Sequence, residues 1–223
     1  MMRTVSNVID CPDQRRIEMN DNENLKAVVL ICSLRPSPSE SSSDILARQL
    51  TEEMEKHGVV SEMIRVADRD IKHGVQIDMG DGDEWPTIRE QIIEADILLI
   101  ATPIWVGHPA SYTQQIIERL DAELSEADEQ GRLQTYGKVG VLAVVGNEDG
   151  AHKVTADVFQ ALNDVGFTIP AAGAVYWVGE AMHTTDYKDL DETPEKVAVS
   201  IKSAAANAAH LARLLKQNQY PAT

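Results

Sequence analysis

The stretch KAVVLICSLRPSPSESSSDILARQL, residues 26–50, sets a short apolar run against a Ser-rich loop and then a helical pattern. The opening KAVVLICS is apolar and β-branched without the polar alternation of a half-wet sheet, so it reads as a strand buried on both faces of a parallel sheet. ADILLIAT (95–102) and KVGVLAVVG (138–146) repeat that reading. VVSEMIRV (59–66) is a less apolar fourth candidate, and FTIPAAGAVYWVG (167–179) a fifth, with Pro170 and Gly173 marking a bend or edge. Between the strands lie helical faces. Ile45, Leu46, Leu50 and Met54 form one, and Ile116, Ile117, Leu120 and Leu124 another. Val154, Val158, Ala161, Leu162 and Val165 form a third, and Val197, Ile201, Ala204, Ala208, Leu211 and Leu215 line a long Ala-rich final helix. A loop-rich acidic insert, residues 71–86, precedes a further helix around Thr87 to Glu94. Strands alternating with helical crossovers form right-handed βαβ units, so an open α/β fold is expected, a five-stranded parallel sheet of order 2-1-3-4-5 with helices on both faces.

A chain of 223 residues, 43% hydrophobic, is long enough to bury one sizeable core. Residues 1–24 lack a sustained period and read as a flexible arm, residues 25–217 as the folded domain and 218–223 as a tail. With 36 acidic against 20 basic residues, the net charge of -16 argues against nucleic acid and anionic membrane as partners. It also means that a phosphate-bearing ligand needs local positive donors. Two cysteines, Cys11 and Cys32, give no disulfide framework, and no apolar run approaches membrane-spanning length, so a cytoplasmic protein is expected. The histidines at 57, 73, 183 and 210 fall on unrelated elements without metal-ligand spacing.

In such sheets ligands bind at the carboxyl ends of the strands, where the strand order reverses. The loop from Ser33 to Ser43 offers hydroxyls, the Arg35 guanidinium and the unsatisfied N–H groups of a helix start, which are anion-binding parts. Ser42 or Ser43 capping the helix is the plainer alternative. The loop carries neither a Walker motif nor a dinucleotide fingerprint, so a monophosphate suits it better.

The loop after the third strand runs Thr102-Pro103-Ile104-Trp105-Val106-Gly107-His108-Pro109-Ala110. Together with a first strand ending in S-x-R and a Ser-rich helix start, it resembles the T-P-[IV]-[YW]-x-G-x-[PM]-[SA] segment of the NADPH-dependent FMN reductases, a branch of the flavodoxin-like superfamily. The resemblance spans Lys26 to about Val178. It implies FMN as cofactor, with Ser33, Arg35, Ser41, Ser42 and Ser43 on the phosphate and Pro103, Ile104, Trp105, Val106 and Gly107 around the ring. The loop after the fourth strand, residues 146–152, then falls at the flavin's pyrimidine end, with Asn147 and the amides of Asp149 and Gly150 as candidates. The sequence departs from the family at Cys32, where relatives have Gly, and in the two prolines at 36 and 38. Cys32 reads as inert packing, and Trp85 and Trp177 as core or interface residues.

Because FMN carries the redox chemistry itself, the lack of a Ser/His/Asp constellation is expected. The resemblance implies an enzyme that passes hydride or electrons from NADPH or NADH through FMN to a flavin, quinone or similar small acceptor. It also implies a homodimer or homotetramer. A flavodoxin-type electron carrier is the alternative that the acidic charge would suit, although such carriers have a T-G-x-T-G-x-T phosphate loop in place of S-L-R.

Overall fold

The structure, a computed structural model, describes residues 24–181 and 183–222. The expected arm, residues 1–24, lies outside the described residues except for its last position, as does Cys11. Six strands and five α-helices follow in the order β1 (Leu25–Ile31), α1 (Ser42–Glu55), β2 (Val59–Arg65), α2 (Trp85–Glu94), β3 (Ile97–Trp105), β4 (His108–Pro109), α3 (Ser111–Leu120), β5 (Val139–Gly146), α4 (Ala151–Asp164), β6 (Ala174–Val178) and α5 (Glu195–Gln217). The parallel strands lie in the order β2-β1-β3-β5-β6, which is the expected topology with β5 and β6 as its fourth and fifth members.

Side-chain alternation along the strands divides the core into two layers. Ala27, Val29 and Ile31 of β1 point with Ile97, Leu99 and Ala101 of β3 toward α1 and α5, while Val28, Leu30 and Cys32 face α2, α3 and α4 with Leu98 and Ile100. Both faces are covered, so the strands need no polar side. Ala204, Ala205, Ala208 and Ala209 of α5 are fully buried, and their small side chains let the helix lie close to its neighbours.

Four details differ from the sequence reading. β3 continues to Trp105, and its end pairs antiparallel with the two-residue β4. Val106 and Gly107 both take positive φ, 53° and 72°, as a two-residue hairpin turn of type I′ requires. β6 covers only Ala174–Val178, because residues 170–173 close a turn in which the Gly173 N–H donates to the Pro170 carbonyl. Leu124 is 50% exposed rather than on the α3 face: α3 ends at Leu120 and the 3-10 turn Asp121–Ser125 rotates the following side chains out of phase.

The acidic insert is held by a buried ion pair. The Arg119 guanidinium on α3 donates to Asp83 Oδ2 at 2.8 Å, and both side chains are fully excluded from solvent. Arg119 also donates to the carbonyls of Lys72 and Ile77, and Asp83 accepts the N–H groups of Lys72, Met79 and Trp85. Burial opposes ionisation of Asp83, but these donors outweigh it and hold the carboxyl below its usual range. The stability contributed by this carboxylate is therefore present above the unfolded Asp value of about 4 and lost as pH falls through the lower folded value. Arg119→Met, which strands Asp83, is expected to lower the unfolding free energy by about 3–5 kcal/mol at neutral pH in urea titrations. Asp83→Asn should flatten the acid limb of the stability curve.

Candidate functional site

Three βα loops and the β6–α5 connection surround a cleft of about 470 Å³ at the carboxyl edge of the sheet, a volume in the range of small-molecule sites. The first loop lines it at both ends, through Ser33 to Arg35 and Glu40 to Ser43, whereas the second and third loops line it only where they leave their strands.

The loop after β1 enters α1 through Ser41, whose extended backbone and side chain cap the helix by accepting the Asp44 N–H at 3.3 Å. The cap is thus one residue earlier than the two serines singled out from sequence. Ser42 and Ser43 occupy the first helical positions, and their N–H groups find no acceptor among the described residues. Ser33 and Ser43 are buried at the cleft floor, and the Ser33 hydroxyl donates to the Arg35 carbonyl at 3.3 Å. Arg35 lines the cleft, and its guanidinium makes no ion pair or hydrogen bond to any described residue. The loop is clamped from below by the end of β2: Arg65, only 8% exposed, donates to the Ser39 carbonyl at 2.6 Å and pairs with Asp44. Asp68 accepts the Ser37 N–H at 2.7 Å, and hydrogen bonding from Ser37 holds its carboxyl below the usual range.

Of the five residues expected around the ring, Pro103, Ile104 and Trp105 line the cleft; Val106 and Gly107 lie in the hairpin turn beyond it. Trp105 is 54% exposed and Val106 86%, and Val106 holds a left-handed conformation that is costly for a β-branched side chain. Thr102 anchors the returning chain, its hydroxyl accepting the Ala110 N–H and the Thr113 hydroxyl.

In the loop after β5, Gly146, Asn147 and Glu148 line the cleft, whereas Asp149 and Gly150 do not. Asn147 Nδ2 donates to the His183 carbonyl at 3.0 Å and to Asp186 Oδ1 at 3.1 Å, so its amide nitrogen ties this loop to the β6–α5 connection. Glu148 accepts the Gly107 N–H at 3.4 Å. Gly150, at φ 127°, directly precedes α4 and lies so near the hairpin that an added Cβ would stand 2.9 Å from Gly107 Cα. His108 faces Lys153 at 3.2 Å and His152 faces Tyr176 at 3.1 Å, both outside the cleft lining.

The β6–α5 connection was not legible as part of the site. It contributes Asp186, Tyr187 and Lys188, with Trp177 from the end of β6. Trp177 packs on Tyr187 at 5.4 Å between ring centroids, and the Tyr187 hydroxyl donates to Gln49 Oε1 on α1 at 2.6 Å. Trp177 carried a usable signal, since it lies one residue before the end of the fifth parallel strand, at the same edge as the loops. Tyr187 carried none, because its partner is 138 residues away. Cys32 is fully buried and its thiol is pushed up to about 12, first by burial. It is inert packing, as expected.

A doubly covered parallel sheet of this order, with an open crevice at the strand reversal, defines a flavodoxin-like protein. The chain belongs to the NADPH-dependent FMN reductase family, whose pattern it matches over residues 25–182. Family membership brings FMN and a nicotinamide nucleotide as cofactors and flavin-dependent oxidoreduction as the class of chemistry. The chain is 35% identical over 206 residues to an 8-demethyl-8-aminoriboflavin-5'-phosphate synthase from Streptomyces davaonensis, covering 88% of this chain and 80% of that one. The crystal structure of RosB with bound 8-demethyl-8-formylriboflavin-5'-phosphate superposes with a TM-score of 0.80 at 36% identity, over 88% of this chain and 82% of that one. An NADH:FMN oxidoreductase, at 18% identity and a TM-score of 0.59 over 86% of this chain and 89% of that one, shares the fold. Among the described residues no helix is long and apolar enough to cross a membrane.

Gly150→Ala should force the second and third loops apart, lowering stability by about 1–3 kcal/mol in thermal unfolding and loosening the ring end of the cleft.

Proposed function

We propose that this protein is an FMN-dependent oxidoreductase that takes electrons from NADPH or NADH and delivers them to a flavin, quinone or similar small acceptor. The observation that carries the reading is the polarity of the cleft. The α1 start collects the Ser42 and Ser43 amides and Arg35, all without partners among the described residues, with the Ser33 and Ser43 hydroxyls; Ile104, Trp105 and Trp177 supply apolar walls. The residues fit a phosphate-bearing planar aromatic ligand. The helix start and guanidinium supply charge-assisted hydrogen bonds of about 1.5–3 kcal/mol each, which offset the repulsion of a strongly acidic protein. When bound there, FMN supplies the exchange of electrons between a nicotinamide and an acceptor.

The chain's own residues hold and orient. Pro103 and Ile104 offer an apolar wall, and Trp105 stands exposed where a second planar molecule has room to approach. Asn147 and Glu148 tie the walls together, so the ring end is shaped before a ligand arrives. The catalytic centre is expected to be the bound flavin, and the assembly a homodimer or homotetramer measurable by gel filtration. Residues 25–217 are taken as the folded domain.

Similarity to the Streptomyces synthase supports a second reading, in which a flavin phosphate is the substrate that is altered. Steady-state assays of FMN-loaded protein with NADPH or NADH against quinones and free flavins, followed by mass analysis of the recovered flavin, separate the two. Turnover with FMN recovered unchanged supports the reductase; no turnover with any acceptor overturns it, and a changed flavin mass establishes the second reading. Arg35→Ala should weaken FMN binding about tenfold or more while leaving the circular dichroism spectrum unchanged.

A further inference from the structure

Arg35 is one of two cations in the cleft lining; the other is Lys188, and three acids, Glu40, Glu148 and Asp186, share that lining. A phosphomonoester near neutral pH carries a charge of about -1.5 to -2, more than a single guanidinium matches. The two cations reach the cleft from different parts of the chain. Arg35 belongs to the loop before α1, and Lys188 to the β6–α5 connection, whose backbone is fastened directly to α1: the Lys188 N–H donates to Ser42 Oγ at 3.2 Å. That bond fixes the Lys188 backbone beside the first helical turn, where the Ser42 and Ser43 amides lack partners among the described residues.

The Lys188 ammonium is held by its neighbour. Nζ donates to Asp189 Oδ1 at 2.7 Å, and the other oxygen of Asp189 accepts the Asp186 N–H at 3.2 Å, so one carboxylate both closes the short 3-10 turn and orients the lysine. Glu40 and Asp186 act on the same ammonium at longer range. Asp189 is 45% exposed and well solvated, so the pair contributes little to stability and leaves the ammonium donors to spare for an anion.

Building on the FMN reading of the cleft, we propose that Lys188 is a second phosphate-binding cation, brought to the α1 start by the β6–α5 connection. The flavin phosphate is favoured over the phosphates of the nicotinamide nucleotide because Lys188 is fastened to the α1 start, at the polar end of the cleft. The β6–α5 connection thereby takes part in ligand binding as well as in closing the cleft wall.

The test is fluorescence titration of the flavin-free protein with FMN and with riboflavin, which lacks the phosphate, for wild type, Lys188→Ala, Lys188→Arg and Arg35→Ala. Lys188→Ala is expected to weaken FMN binding about tenfold or more, the effect of losing a hydrogen bond to a charged group. Riboflavin affinity should be unchanged, and Lys188→Arg should recover most of the FMN affinity. Equal weakening of FMN and riboflavin would overturn the inference, since it marks a lysine that only holds the wall. An unchanged FMN affinity with a raised KM for NADPH would also overturn it, by moving the lysine to the nucleotide. If wild type prefers FMN to riboflavin and Arg35→Ala loses that preference but Lys188→Ala keeps it, this inference alone falls. If wild type shows no preference for FMN, the phosphate reading of the cleft falls with it.

Discussion

Strand β1 is hydrogen-bonded on both sides, to β2 from Leu25↔Val59 through Ile31↔Arg65 and to β3 from Ala27↔Ile97 through Ile31↔Ala101, and both of its faces are buried. A strand so enclosed can release the chain only at its end. The next strand in sequence pairs on one side and the one after it on the other, and right-handed crossovers then send α1 to one face and α2 to the opposite face. The loops leaving β1 and β3 consequently part from each other at the sheet's carboxyl edge. The cleft is the space that this divergence opens, and every residue assigned to it inherits its place from the pairing of β1.

Holding that space open falls mainly to side chains outside the cleft lining. Arg65 and Asp68 fix the first loop from the end of β2, Thr102 and Thr113 secure the return of the second, and Gly150 allows the third to rest against the second. Asn147 and Ser42 extend the same fastening to the β6–α5 connection. Such cross-links remove loop freedom during folding rather than during binding, which is the physical meaning of a preorganised site. They also separate two roles that sequence motifs merge. Ser42 and Asn147, both singled out as cofactor contacts, spend at least one polar atom on joining loops.

The acidity of the chain and its affinity for a phosphate ligand are compatible because the two act over different distances. At physiological salt a net charge is screened beyond about 8 Å, whereas a guanidinium and helix amides act at hydrogen-bond range. Placing Arg35 where no carboxylate among the described residues pairs with it leaves a strong local donor in an otherwise repulsive surface.

The strands, their order and the edge at which the loops gather were determined by sequence alone, because burial on both faces leaves a local signature in runs such as KAVVLICS and ILLIA that needs no partner to be read. The Ser-rich helix start and the T-P-I-W segment were visible for the same reason, since caps and turns are made by neighbours in the chain. Tertiary structure decided the rest. That Asn147 binds Asp186, that Arg65 supports Ser39, and that Trp177, Tyr187 and Lys188 wall the cleft all depend on contacts between residues tens of positions or more apart. No local pattern encodes such contacts, because they exist only once the sheet has brought five strand ends to one edge.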